Sequence, residues 1–242
     1  MLVHFIVHES FEAPGAYETW ALKRGYNATF TRLYLGDTLP VIVDSLDILI
    51  VLGGPQTPST TKDECPYFDA AAERDFILQC ISAGKAVVGI CLGSQLVSEA
   101  LGAAWEKSPE TEIGNFPITL TTTGRSNDKF EHFDLSIEVG HWHNDMPGLT
   151  PEAKIIASSQ GCPRQIVEYT NLVYGFQCHM EFNAEVIEGL IEASKDELAG
   201  LIENKYVQQP DVLRANDYAK MNETLAVFLD RLTEAYLTAR HQ

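Results

Sequence analysis

Cys91 has the neighbours a nucleophile needs: glycines at positions 89 and 93, two residues to either side. The stretch Ala86 to Gln95, Ala-Val-Val-Gly-Ile-Cys-Leu-Gly-Ser-Gln, opens on an apolar, β-branched run that reads as a short strand buried on both faces. Gly89 and Gly93 permit a sharp strand-to-helix turn that pushes the cysteine out at the strand's end. A thiol there lies near a helix N-terminus, where the partial positive charge favours thiolate. The same residues also fit a small buried cysteine closing a core strand, so other stretches must decide. His179 and Glu181 are two apart, and an extended chain points both side chains the same way. A carboxylate beside an imidazole fixes its tautomer and stabilises imidazolium, which orients a base that activates a thiol. Taken alone, the two also fit surface polar residues at a strand end. Cys178 faces the other way, which leaves Cys91 as the better nucleophile. Gly53-Gly54-Pro55 is a stiffened turn whose backbone can approach a ligand closely. A backbone N–H there and another at Leu92 could form an oxyanion hole.

Together these stretches resemble the class I (triad) glutamine amidotransferases. Gly89-Ile-Cys91-Leu-Gly93-Ser-Gln95 is similar to that family's Gly-x-Cys-x-Gly-x-Gln nucleophile motif. Gly175-Phe-Gln177-Cys-His179-Met-Glu181 is similar to its Gly-x-Gln-x-His-x-Glu motif, and Gly53-Gly54-Pro55 to its glycine-rich oxyanion loop. The order along the chain agrees, and the resemblance spans roughly residues 45–182. It implies Cys91 as nucleophile, His179 as base and acid, and Glu181 as orienting group. It also implies Gly54 and Leu92 as oxyanion donors and Gln95, His143 and Gly53 as substrate contacts. Met180 stands where the family often has Pro, and Cys178 where it often has Phe; neither change touches a reacting group. His141-Trp-His143-Asn-Asp145 resembles a Trp-x-Ser-His-x-Asp stretch in the amidotransferase part of GMP synthetase, which is what brings His143 to the glutamine pocket. His141 and His143 could instead share a face as metal ligands. No suitable third ligand stands nearby in sequence, so the expectation is no metal and a plain loop role for His141.

The implied substrate is a small molecule, glutamine or another γ-glutamyl compound, hydrolysed through a γ-glutamyl thioester on Cys91. This chemistry needs no metal and no organic cofactor. About 60 residues follow Phe182 and read as helices, which leaves no room for a synthetase domain. The expected ammonia acceptor is therefore a separate synthetase subunit, or absent. Stand-alone proteins resembling this chain include plant-type γ-glutamyl peptidases, whose scissile group is identical. A non-catalytic regulatory or binding protein on the same fold is the alternative of another class; it gives no reason to keep Cys91, His179 and Glu181 together.

The elements that must position these residues alternate. Leu2 to Val7, Leu46 to Leu52 and Ala86 to Ile90 read as buried strands, and Ala28 to Leu35 as an edge strand. Ala16 to Arg24, Tyr67 to Ser82 and Ser94 to Leu101 suit helices closed by Gly25, Gly84 and Gly102. That alternation argues an α/β fold with a mostly parallel, doubly wound sheet, as in flavodoxin-like proteins, with ligands at the carboxyl ends of the strands. From Ile113 the texture changes to a smaller antiparallel region. It has strands at Pro117 to Thr123, His132 to Val139, Ala153 to Ser158, Gln165 to Tyr169 and Leu172 to Gln177. Gly124 to Asp128 reads as a turn, and Thr170-Asn171 as a tight hairpin. Asn183 caps a helix at Ala184 to Ala193, Asp196 to Tyr206 suits another, and Pro210 interrupts. Asp217 to Arg240 has apolar residues three or four apart, an amphipathic helix that covers the sheet or forms a homodimer contact. The whole, residues 1–242, reads as one domain with a helical C-terminal extension at about 184–242.

Composition narrows the class. Asp and Glu number 34 against 17 Lys and Arg, a net charge of −17, which repels phosphate backbones and argues against nucleic-acid binding. No apolar run is long enough to span a membrane and no signal pattern opens the chain, so the expectation is a soluble cytoplasmic protein without membrane association. The five cysteines are odd in number and lack Cys-x-x-Cys spacing, which suits one special free thiol better than a disulfide framework.

Overall fold

Val3, Phe5 and Val7 of strand β1 (Leu2–Val7) pack into one hydrophobic cluster and Ile6 into another, so the strand is wet on neither face. The same split divides Ile48 and Ile50 from Leu49 and Val51 in β3 (Ile48–Val51). It also divides Val88 and Ile90 from Val87 in β4 (Ala86–Ile90). Strands covered on both sides read as unbroken apolar runs, which is why these three were visible in the sequence. The computed structural model describes residues 1–240.

The remaining strands are β2 (Asn27–Arg32), β5 (Glu106–Leu120), β6 (Ser136–Met146), β7 (Lys154–Ser158), β8 (Ile166–Thr170) and β9 (Val173–Phe176). All nine form one sheet in the order β2-β1-β3-β4-β9-β8-β7-β5-β6. From β2 to β9 the neighbours are parallel; from β9 to β6 they are antiparallel. The fold is thus the mostly parallel α/β architecture expected, and the antiparallel region extends the same sheet through β9.

The helices are α1 (Ala16–Lys23), α2 (Ala70–Ser82), α3 (Leu92–Ala100), α4 (Thr122–Arg125), α5 (Ala184–Ala193), α6 (Lys195–Gly200), α7 (Pro210–Ala215) and α8 (Ala219–Arg240). Helices α1 and α8 cover one face of the parallel half, through Trp20, Phe228 and Leu232. Helices α2 and α3 cover the other, through Phe76, Ile77 and Leu96. Among the described residues no helix is long and apolar enough to cross a membrane.

Several expected boundaries move. The strand expected to Leu35 stops at Arg32, and Leu33–Leu35 is a 3-10 turn. The expected turn after Thr123 is instead the short helix α4, whose first turn is held by the Thr121 hydroxyl accepting from the Gly124 N–H at 3.0 Å. Strand β6 starts at Ser136, four residues later than expected, and runs on through His141 and His143. His141 is therefore a buried strand residue, not a loop residue. Strand β5 begins at Glu106, well before the expected Pro117, because its polar first half is recruited by pairing with β6 across an irregularity between Lys107 and Glu112. Helix α6 ends at Gly200 rather than Tyr206, and Pro210 starts α7 instead of breaking a helix. A proline at the first helical position loses no hydrogen bond.

Met221, Leu225, Phe228, Leu229, Leu232 and Tyr236 of α8 are all buried within the chain. The stripe covers the sheet and so is not left over for a dimer contact. Phe228 contacts the rings of Phe130, Tyr174 and Phe176 at centroid separations of 5.0, 5.1 and 5.0 Å. Phe228→Ala is expected to lower the unfolding free energy in urea by about 3–5 kcal/mol, by the same amount at every protein concentration. A loss that disappears on dilution would return α8 to the dimer reading.

Candidate active site

Cys91 joins β4 to α3 with φ 49° and ψ −110°, the one non-glycine residue at positive φ among the described residues. Such a backbone costs about 1–3 kcal/mol and persists only where its surroundings enforce it. Here the Cys91 N–H donates to the Phe176 carbonyl of β9 at 2.7 Å, and the Gly93 N–H to the Leu52 carbonyl at 3.2 Å. A side chain at position 93 would start 2.0 Å from the Val51 carbonyl oxygen, and one at position 89 would start 2.3 Å from that of Gly93. The two glycines are thus required by close backbone approach on either side of the thiol.

His179 and Glu181 follow the end of β9, beside β4. The His179 main chain bonds Gly140 of β6 in both directions, at 2.7 and 2.9 Å, which holds the segment extended. The alternation then places His179 Nδ1 2.5 Å from Glu181 Oε1, with the imidazole stacked on Phe182 at 4.4 Å. Cys178 is turned away, its thiol donating to the Gln165 carbonyl at 3.7 Å.

Burial pulls the His179 pKa down, but the Glu181 carboxylate and the Cys91 sulfur outweigh it and hold it well above the ordinary imidazole value. Burial pushes the Cys91 thiol up, against the opposing pull of His179. The thiol donates to the Trp142 carbonyl of β6 at 3.6 Å. Buried His179 Nε2 has no hydrogen-bond partner among the described residues. The Cys91 sulfur and the His179 ring are nonetheless neighbours, since each shifts the other's titration.

Cys91 opens on a cavity of about 330 Å³ bordered also by Glu12, Gly54, Leu92, Gln95 and His143. Leu92 is the first residue of α3, so its N–H has no acceptor inside the helix and faces the Cys91 sulfur instead. Gln95 borders the cavity while its amide nitrogen donates to Gln177 Oε1 at 3.2 Å. Gly53 is not among the lining residues; its carbonyl accepts from His8 Nδ1 at 2.9 Å. His143 borders the cavity, but its Nε2 points to Glu112 Oε2 at 3.4 Å, beneath the cavity wall. Burial lowers His141 to about 3 and His143 well below its usual value.

Two features were not anticipated. Glu12 brings a carboxylate into the cavity beside Gly53, with its pKa raised by burial. His8 braces the glycine loop and is itself fixed by Glu73, 2.8 Å away in the core. Nothing in the local spacing of Glu12, His8 or Glu73 marks them, since they meet the site only through the packing of β1 and α2.

Residues 22–191 match the sequence profile of the family described as glutamine amidotransferase class-I. The glutamine amidotransferase-like protein YfeJ of Salmonella typhimurium is 55% identical over 236 residues, 98% of this chain and 99% of that one. Gamma-glutamyl peptidase 2 of Arabidopsis thaliana is 26% identical over 71% of this chain and 70% of its own. The crystal structure of SMU.1228c superposes with a TM-score of 0.94 at 47% identity, over 96% of this chain and all of that one.

In Glu181→Gln, His179 loses the charge that holds its proton, and its titration midpoint is expected to fall. A raised folded-state pKa makes the imidazolium stabilise the fold below about pH 6.5, a contribution lost as pH rises through the folded value. The variant draws in the upper end of that window. An NMR titration of the His179 ring measures it, and an unmoved midpoint would contradict the ion-pair account.

Proposed function

The chain belongs to the class I glutamine amidotransferase family, and on that premise we propose that it hydrolyses the side-chain amide of glutamine to glutamate and ammonia. Cys91 passes its proton to His179 Nε2, and the sulfur attacks the amide carbonyl. The oxyanion accepts hydrogen bonds from the Gly54 and Leu92 N–H groups. The His179 imidazolium, held by Glu181, protonates the nitrogen as the C–N bond breaks, which leaves a γ-glutamyl thioester and free ammonia. Water then gives its proton to His179 and attacks the thioester. The C–S bond breaks, glutamate leaves, and the sulfur recovers its proton. Each step draws on side chains and main-chain donors of this chain alone.

The observation that carries this reading is the convergence of a strained Cys91 and the His179–Glu181 pair, 2.5 Å apart, at adjacent strand ends beside one polar cavity. A fold kept only for binding has no use for a backbone held at φ 49° under a thiol. The 26% identity to a γ-glutamyl peptidase supports a second reading, in which the group leaving the same thioester is an amino acid or peptide amine. In the first reading, the ammonia either leaves or passes to a separate synthetase subunit.

Cys91→Ala is expected to reduce ammonia release from glutamine by at least about 10³-fold, with circular dichroism unchanged. Ammonia release at the wild-type rate would eliminate both readings. Turnover of γ-glutamyl dipeptides by the wild-type protein without turnover of glutamine would select the peptidase.

A further inference from the structure

Strands β5 and β6 carry a second cluster that the Cys91 chemistry does not use. Glu112 sits opposite His143 in the antiparallel register, and His141 lies two residues back on the same face of β6. All three are buried. Glu112 Oε2 lies 3.4 Å from His143 Nε2 and 3.8 Å from His141 Nδ1, and the two nitrogens are 3.4 Å apart. The Gln165 side chain, which enters just before β8, caps this triangle. Its amide nitrogen is 2.7 Å from Glu112 Oε2 and 3.2 Å from each imidazole nitrogen. Four atoms so spaced are the corners of a slightly distorted tetrahedron. A metal ion with ligand bonds of about 2.0–2.1 Å requires corners about 3.3–3.4 Å apart.

Hydrogen bonding leaves this cluster incomplete. His141 Nε2 faces the Phe116 carbonyl at 3.2 Å, and a carbonyl only accepts. That contact puts the ring proton on Nε2 and aims the Nδ1 lone pair inward, the outer contact that commonly orients a metal-bound histidine. An amide NH₂ has two hydrogens. Four acceptors surround this one, because Ser159 Oγ also lies 3.0 Å from it. Buried Gln165 Oε1 and Glu112 Oε1 have no partner among the described residues. Half a turn of the Gln165 amide exchanges its nitrogen for the orphaned oxygen and puts a fourth lone pair at the same corner.

We propose that Glu112, His141, His143 and the Gln165 side-chain oxygen bind one divalent transition-metal ion, for which Zn²⁺ fits the two-nitrogen, two-oxygen donor set and the tetrahedral size. All four positions are filled by the protein, which makes the site a structural one, with no corner open for a substrate. His143 borders the Cys91 cavity and provides the way in. The site ties β5, β6 and the start of β8 together at one point. Two residues of the same strand hold the catalytic pair: Gly140 bonds the His179 main chain, and the Trp142 carbonyl accepts from the Cys91 thiol. The ion fixes the strand between and beside them.

The proposal is independent of the reaction assigned to Cys91, and its test reads binding. Chelator-treated Cys91→Ser protein, which lacks the competing thiol, is titrated with ZnCl₂ and with CoCl₂. Uptake of one ion per chain is expected, with the visible absorption of tetrahedral Co²⁺, no sulfur-to-metal band and a higher melting temperature. Glu112→Gln and His141→Ala in that background are expected to weaken uptake by at least about 100-fold. If either folds poorly, Gln165→Glu decides: a carboxylate at the fourth corner retains or tightens Zn²⁺ binding, whereas in a metal-free network it sets a second charge against Glu112 and binds nothing. Absence of stoichiometric uptake in Cys91→Ser, or uptake indifferent to the Glu112 and His141 substitutions, overturns the site.

Discussion

The Val51 carbonyl oxygen stands 2.0 Å from the point where any side chain at position 93 would begin. The geometry around Cys91 depends on that closeness. With glycine at 93, helix α3 starts directly against the end of β3 and Cys91 is forced to φ 49°. The cysteine cannot relax without moving either the helix off the sheet or β4 away from β9, to which its own N–H is bonded at 2.7 Å. Both shifts would uncover apolar area on β3, β4 and α3, among it Val51, Val87 and Leu96. The strain is thus sustained by burial over a much larger region than the turn itself.

Strand β6 makes the complementary contribution from the far end of the sheet. Its Gly140 meets His179 in two main-chain hydrogen bonds, and its Trp142 carbonyl receives the Cys91 thiol. Period-two alternation sends His141 and His143 to a common side, toward Glu112 and Gln165. One strand therefore touches the reactive pair with its backbone and the buried polar cluster with its side chains. Near one another in the fold, one histidine is driven toward imidazolium by Glu181 while two others are held toward the neutral form by burial. Each imidazole is set by its immediate surroundings, not by the chain's net charge of −17.

What could be read from the sequence was local. The apolar run before Cys91, the flanking glycines and the two-residue step from His179 to Glu181 each express their geometry within a few positions, and the α/β alternation follows from the same short-range patterns. What could not be read was carried by distant pairing. Glu106 to Glu112 is polar and contains Pro109, so it has no strand signal; β6 makes it a strand. Without that register Glu112 is an ordinary acidic residue, and His141 and His143 lack the third ligand whose absence argued against a metal. Glu12 reaches the cavity by the same kind of long-range packing. Pro210 was misread for a different reason: proline is tolerated at the start of a helix and disruptive inside one, and composition alone does not separate the two.

Asp47, just ahead of β3, bonds the Leu2 N–H at 2.8 Å with one carboxylate oxygen, and receives the Tyr236 hydroxyl and the Arg240 guanidinium at 3.0 Å with the other. Residues near the two extremes of the described chain are therefore stitched to one side chain, and α8 lies over strands synthesised long before it. On the ribosome, the greasy underside of β1, β3 and β4 waits for α8, more than a hundred residues beyond β4, before its lid arrives. Between the emergence of β4 and that of α8, this apolar face lacks its α8 cover and is open to aggregation and to chaperones.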